Sequence, residues 1–116
     1  MDKQILFLLE KGLIELDISI NSTQKDQLLF FINMIEKNNR LFNLTGFKTH
    51  VDILVDLIFD SLSFLKTSFP LKEINTAIDV GTGAGIPGIP LNILFPHIHF
   101  YYLDSNHKKI NFIKIV

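Results

Sequence analysis

The residues best placed to do chemistry form a single turn, Asp79-Val80-Gly81-Thr82-Gly83-Ala84-Gly85-Ile86-Pro87-Gly88. Glycines at this spacing let the backbone turn tightly out of a strand and let a ligand lie against main chain where a Cβ would collide. A helix that starts just after the turn presents its unpaired N–H groups to the same space. The second signal is Asp104, at the end of the next apolar run and about twenty residues beyond the glycines, as a nucleotide-binding βαβ unit requires. A carboxylate there can accept hydrogen bonds from both hydroxyls of an adenosine ribose. Strand, turn, helix, strand and terminal Asp in that order are a far stronger signal than glycines alone.

Two cofactor classes suit such a unit. Gly83 to Gly88 matches the dinucleotide pattern letter for letter, which keeps an NAD-dependent oxidoreductase as the alternative reading. Charge favours S-adenosylmethionine. Asp79, two residues before the first glycine, would set negative charge close to a pyrophosphate, whereas it can hold an ammonium group directly or through water. Pro87 and Pro90 also stiffen the helix entrance instead of offering a run of free N–H groups to phosphate.

The elements that must position these groups follow from hydrophobic spacing. Thr76 to Val80 predicts a strand, Ile86 to Phe95 a helix ended by Pro96, and His97 to Leu103 a second strand, apolar enough to be covered by helices on both faces. Asn106 to Val116 predicts another helix, with Ile110, Phe112, Ile113 and Val116 inward. Upstream, the first twenty residues read as a short helix that Gly12 weakens or divides. Thr23 caps a second helix to about Arg40, with Asp26 as an imperfect capping-box partner and Leu28, Phe31, Ile32 and Ile35 on its buried face. Lys25, Glu36 and Lys37 face solvent. A third helix fits Val51 to Leu65. The division is a helical N-terminal segment, 1–75, and an α/β unit, 76–116, that opens a parallel, doubly wound sheet with β-α-β-α. Two strands are fewer than such a domain needs, so the pattern predicts the front of a longer enzyme, with the 116-residue chain alone poorly stable and catalytically silent.

Composition sets the limits. The chain has no Cys, which excludes Cys-type zinc sites, iron–sulfur clusters and thiol nucleophiles. Its apolar runs are far short of a membrane span, and Glu10, Glu15 and Asp17 interrupt the N-terminal pattern where a signal peptide would be uncharged. A formal charge of -1 shows no broad basic surface of the kind that nucleic-acid binding draws on.

The longer motif, Asp79 through Gly88 continuing Ile89-Pro90-Leu91, then Leu103-Asp104-Ser105 and Lys108-Lys109, resembles the RsmG (GidB) methyltransferases. Asn33-Met34 through Asn43-Leu44-Thr45 and Asp60-Ser61-Leu62 are similar to upstream elements of the same family. The resemblance implies a class I (Rossmann-like) S-adenosylmethionine-dependent methyltransferase fold behind a helical segment. It also implies a cytoplasmic enzyme that methylates N7 of a guanine in 16S ribosomal RNA of the small ribosomal subunit. Gly81 and Ile86 fall on the family's cofactor-contacting positions, Gly83 and Gly85 complete the loop, Asp79 joins them, and Asp104 takes the ribose. No catalytic side chain is assigned, because guanine N7 is already a lone-pair donor. The chain departs from the family at Asp56-Leu57, where Arg-His is usual, and at Asn38, often Trp. Ten Lys to one Arg, seventeen Ile and nine Asn suggest an AT-biased genome, which a decayed gene product would fit; a non-catalytic helical interaction module is a separate alternative.

Other tempting residues have plainer readings. His50, His97, His99 and His107 lack the third and fourth partners a metal site needs. Asp56 and Asp60 form a solvated stripe, and Phe30, Phe31, Phe42, Phe47, Phe59 and Phe64 fill the core, since a base-stacking platform would want its aromatics beside Lys or Arg on an exposed face.

Overall fold

A computed structural model describes residues 3–39, 49–63 and 73–115. Helix α1 (Lys3–Glu15) and helix α2 (Ser22–Asn39) come first. A continuous helical run follows, made of α3 (His50–Asp52), a π-helical stretch π1 (Ile53–Phe59) and α4 (Asp60–Ser63). The α/β part is β1 (Thr76–Val80), α5 (Gly88–Leu94), β2 (His99–Leu103) and α6 (His107–Ile115). Strands β1 and β2 are parallel neighbours in register from Thr76 opposite His99 to Val80 opposite Leu103. The crossover between them carries α5, as the β-α-β pattern requires.

The core is built from the inward stripes of the helices. Leu9 and Leu13 of α1, Leu28, Phe31, Ile32 and Ile35 of α2, and Ile53, Leu54, Ile58 and Leu62 of the third run form one buried cluster. Ala84, Ile89 and Phe112 belong to the same cluster, so the apolar core continues from the helical segment onto the Gly-rich turn, α5 and α6. Phe112 meets Phe31 with ring centroids 6.4 Å apart.

Several local expectations are corrected. Helix α1 passes through Gly12, because the position is a packing gap: a Cβ there would overlap the ring of Phe59. Helix α2 starts earlier than Thr23. Asn21 Oδ1 accepts the Gln24 N–H at 2.8 Å and Gln24 Oε1 accepts the Asn21 N–H at 3.0 Å, a reciprocal box with Asn21, not Thr23, as the cap. The third run begins at His50, with Thr49 Oγ1 accepting the Asp52 N–H at 3.1 Å. Its π turn pairs residues five apart, which brings Ile53 and Ile58 onto one buried face. Glu36 is not simply solvated: its carboxylate lies 3.7 Å from His50 Nε2 and both side chains are largely covered. Phe30 is 53% exposed, because it falls off the Leu28–Phe31–Ile35 stripe, while Phe31 is fully buried and Phe59 half-buried.

Strand β2 starts at His99, not His97, which sits in the preceding turn. Among the described residues only one face of the two strands is covered. Ala77, Asp79, Phe100 and Tyr102 are half-buried, whereas Ile78, Val80, Tyr101 and Leu103 are all more than half exposed. Asp56 and Asp60 are exposed. The Asn43-Leu44-Thr45 stretch, Phe42, Phe47, Phe64, Leu65 and Val116 lie outside the described residues.

Candidate cofactor-binding site

The pleat of β1 points alternate side chains to opposite faces, so Asp79 shares the covered face with Ala77 and looks toward α5. Its Oδ2 accepts the Thr82 hydroxyl at 2.8 Å and the Gly88 N–H at 2.9 Å. Gly88 is the first residue of α5, so a carboxylate lies against the positive end of that helix and meets one of its unpaired donors. The approach is close enough to require a residue without a side chain: a Cβ on Gly88 would stand 2.6 Å from Asp79 Oδ2 and 2.6 Å from Tyr102 Cε1. Pro87 and Pro90 fall at and just inside the start of α5, where no intrahelical N–H is needed.

The turn itself is sewn to the second strand. The Thr82 N–H donates to the Leu103 carbonyl at 3.0 Å, and the Thr82 carbonyl accepts from Gly85 and Ile86 at 2.9 and 3.1 Å. One residue on, the Gly83 N–H donates to Asp104 Oδ2 at 2.8 Å. Asp104 Oδ1 accepts the Asn106 N–H at 2.8 Å. These two donors, Asn106 first and Gly83 second, hold the Asp104 carboxyl below its ordinary value. Each carboxylate oxygen has a second acceptor direction left, so the group can still receive the two hydroxyls of a ribose.

The glycines of the turn divide into two kinds. Gly83 has φ +57 and a Cβ there would find nothing within 4 Å, so the backbone borders open space on that side; the same is true of Gly81. At Gly85, φ +92, a Cβ would collide with the side chain of Ile89. Gly81 and Gly83 therefore border open space, whereas Gly85 serves the packing of the turn onto α5. Ile86 is half-buried and packs against the main core.

Sequence reasoning missed Thr82 and Tyr102. Thr82 is almost wholly buried and joins Asp79, Leu103, Gly85 and Ile86 in one hydrogen-bonded knot. Its signal was a hydroxyl between two turn glycines, a residue type that bonds local backbone. Burial pushes the Tyr102 phenol up, a hydrogen bond from Asn92 at 3.5 Å lowers it, and the Asp79 charge raises it further. A separate groove of about 710 Å³ is lined by Phe30, Ile89, Asn92, Ile93, Tyr102 and Ile113, and touches neither Asp104 nor residues 79–88. Among the described residues no three His, Asp or Glu groups gather as a metal would need, and no helix is long and apolar enough to cross a membrane.

The profile of the family described as GidB, rRNA small subunit methyltransferase G, matches residues 24–116. The chain belongs to this family. It is 40% identical over 109 residues to ribosomal RNA small subunit methyltransferase G of Alkaliphilus metalliredigens, covering 94% of this chain and 45% of the relative. The protein of the same name from Francisella philomiragia is 42% identical over 108 residues, 93% of this chain and 51% of the relative. That of Mycoplasmoides gallisepticum is 37% identical over 118 residues, 97% of this chain and 47% of the relative. The chain thus spans about half the length of the curated relatives it matches. The family and these relatives are described as methyltransferases, not oxidoreductases.

Proposed function

We propose that this chain carries the adenosine-binding part of a methyltransferase that uses S-adenosylmethionine to methylate N7 of a guanine in 16S ribosomal RNA, in the cytoplasm. The observation that carries the reading is the closure of the turn on Asp104. The Gly83 N–H to carboxylate bond at 2.8 Å fixes an acceptor-rich group at the tip of β2, beside backbone with open space where a Cβ would be. Asp104 would hold the ribose, Gly81 and Gly83 would give the cofactor its close approach, and Ile86 would border it. Asp79 already accepts two hydrogen bonds through Oδ2, so its part is first to shape the turn; an ammonium group would be met through its remaining acceptor directions.

The bound cofactor supplies an electrophilic methyl group on a sulfonium. The chain's own residues have no nucleophile to provide, because N7 of guanine carries an available lone pair. What they contribute is placement: a rigid turn, tied to both strands and to α5, holds the cofactor in one position so that the two reacting atoms are aligned.

The test is calorimetry on a protein of the relatives' length that contains this sequence, with S-adenosylhomocysteine and NAD as ligands, followed by methyl transfer to small-subunit RNA. Binding of S-adenosylhomocysteine without response to NAD, and label at guanine N7, are expected. Preference for NAD would overturn the reading.

A further inference from the structure

We propose that Gln24 is a positioning residue for the Gly-rich turn, acting across the helical segment through α5; calling that turn the cofactor site rests on the function proposed above. Gln24 lies 69 residues before Ile93, yet its Nε2 donates to the Ile93 carbonyl at 3.1 Å and the Leu94 carbonyl at 3.4 Å. These are among the last carbonyls of α5, which have no N–H partner within the helix. The other end of α5 is held by Asp79, which accepts the Gly88 N–H at 2.9 Å. A helix of seven residues has little cooperative stability of its own, so side chains from other elements at both ends fix where it sits.

Gln24 is itself held. Its backbone N–H and its Oε1 are both engaged with Asn21, which leaves the side-chain amide N–H groups aimed at α5. The oxygen of the amide caps α2 and the nitrogen caps α5. Because Ile89 N–H bonds the Gly85 carbonyl at 2.7 Å, a shift of α5 is transmitted into the turn. The helical segment therefore registers the turn against β2 and Asp104.

Two substitutions separate the two halves of the amide. Gln24→Glu keeps an acceptor for the Asn21 N–H but sets a carboxylate against two carbonyls at the negative end of α5. Gln24→Lys abandons the Asn21 N–H but offers donors to those carbonyls, with favourable charge. Amide hydrogen exchange is read at Gly88 and Ile89, at the far end of α5 from the substitution. Gln24→Glu should speed their exchange about tenfold and Gln24→Lys should leave it within about twofold of the unaltered chain, the size expected for one or two part-buried neutral hydrogen bonds. A residue that only capped α2 would give the reverse order. No acceleration in Gln24→Glu, or equal acceleration in Gln24→Lys, would overturn the proposal. Should Gln24→Glu fail to fold, Asn21→Ala decides: it removes the Oδ1 half of the box, keeps the Asn21 N–H bond to Gln24 Oε1 and leaves the contact with α5, so acceleration at Gly88 and Ile89 would also count against it. Affinity for S-adenosylhomocysteine should follow the same order. Affinity is read in a protein of the relatives' length that contains this sequence; if that protein, unaltered, does not bind the ligand, the cofactor reading fails while the exchange data still decide the role of Gln24.

Discussion

Replacing Gly83 and Gly85 one at a time by Ala tests the division of the turn into a glycine that borders open space and one that serves packing. At Gly83, φ +57 is within the left-handed region, and an added methyl group meets nothing within 4 Å. The backbone cost is about 1–2 kcal/mol, of which roughly 0.4–1 is recovered because Ala restricts the unfolded chain. At Gly85, φ +92 lies outside the region that L-residues tolerate best, and strain there is of order 1–3 kcal/mol. The new Cβ also overlaps Ile89, whose Cγ1 would be only 2.8 Å away, and overpacking of that kind adds about 1–3 kcal/mol. Gly85→Ala should therefore be the more destabilising by about 2 kcal/mol, a separation near 1 M in urea midpoint for a small domain. Ile89→Ala is the control, because it leaves only Cβ at 3.5 Å from the new methyl, an ordinary contact. The double variant should be less destabilised than the sum of its parts by more than about 1 kcal/mol. In ligand binding the order inverts: Gly83→Ala fills that open space and should cost S-adenosylhomocysteine about tenfold or more in affinity, at a stability close to the parent's. Equal urea midpoints for the two variants, or additivity of Gly85→Ala with Ile89→Ala within about 0.5 kcal/mol, would refute the packing assignment.

Three further outcomes are expected. Thr82→Val, which keeps shape but removes the hydroxyl held by Asp79 at 2.8 Å, should cost about 1–2 kcal/mol in urea unfolding, the value of a part-buried hydrogen bond to a charged acceptor; no change would show that the knot is not under tension from Asp79. Gly12→Ala should destabilise, although helix propensity alone would reward it by about 1 kcal/mol, because the ring of Phe59 occupies the space; a rise in melting temperature would show that the ring simply moves aside. The Asp104 carboxyl titrates below its ordinary value of 3.8, so its contribution to turn closure is complete above that pH and is lost as the pH falls through the lowered folded value; carbon NMR of the Asp104 carboxyl should show the low midpoint, and protection of the Gly83 amide, taken relative to its intrinsic exchange rate at each pH, should fall only below it.

The α/β part was legible because its signals are local and of different kinds. Thr76 to Val80 was read as a strand, residue for residue, since a β-rich run ends in glycine, and the parallel pairing with His99–Leu103 followed from the intervening helix. The Leu28, Phe31, Ile32 and Ile35 stripe was equally plain, and all four are fully buried. Boundaries were less plain where several residues can play one part. Asn21, Ser22 and Thr23 all offer a capping oxygen. Asn21 is used because Gln24, three residues on, answers it while reaching α5, a contact with no local signature. The π turn and the fit of Phe59 into the gap at Gly12 are likewise decided by which helices meet, and period alone does not carry that.

Asp79 shows where the reading of a site from residue types stops. The carboxylate lies near the end of β1, next to the glycines, and in the sequence its charge is the main ground for preferring one cofactor over another. Which groups it meets depends on how the chain returns nine residues later. Because the turn brings Gly88 back against the strand, Oδ2 is engaged by a hydroxyl and by a helix N–H within the protein itself. The negative charge that counted against a pyrophosphate thus first stabilises the entrance of α5, so the preference for a cationic ligand now rests on the turn as a whole and on family membership more than on Asp79 alone. Asp104 differs in kind. Both of its oxygens take backbone N–H groups, yet the carboxylate keeps acceptor directions free at the tip of the strand, where no later element of the turn competes for them. Of the two carboxylates, Asp104 is therefore the one whose substitution should affect ligand binding more than folding, and Asp79 the one for which that order is reversed.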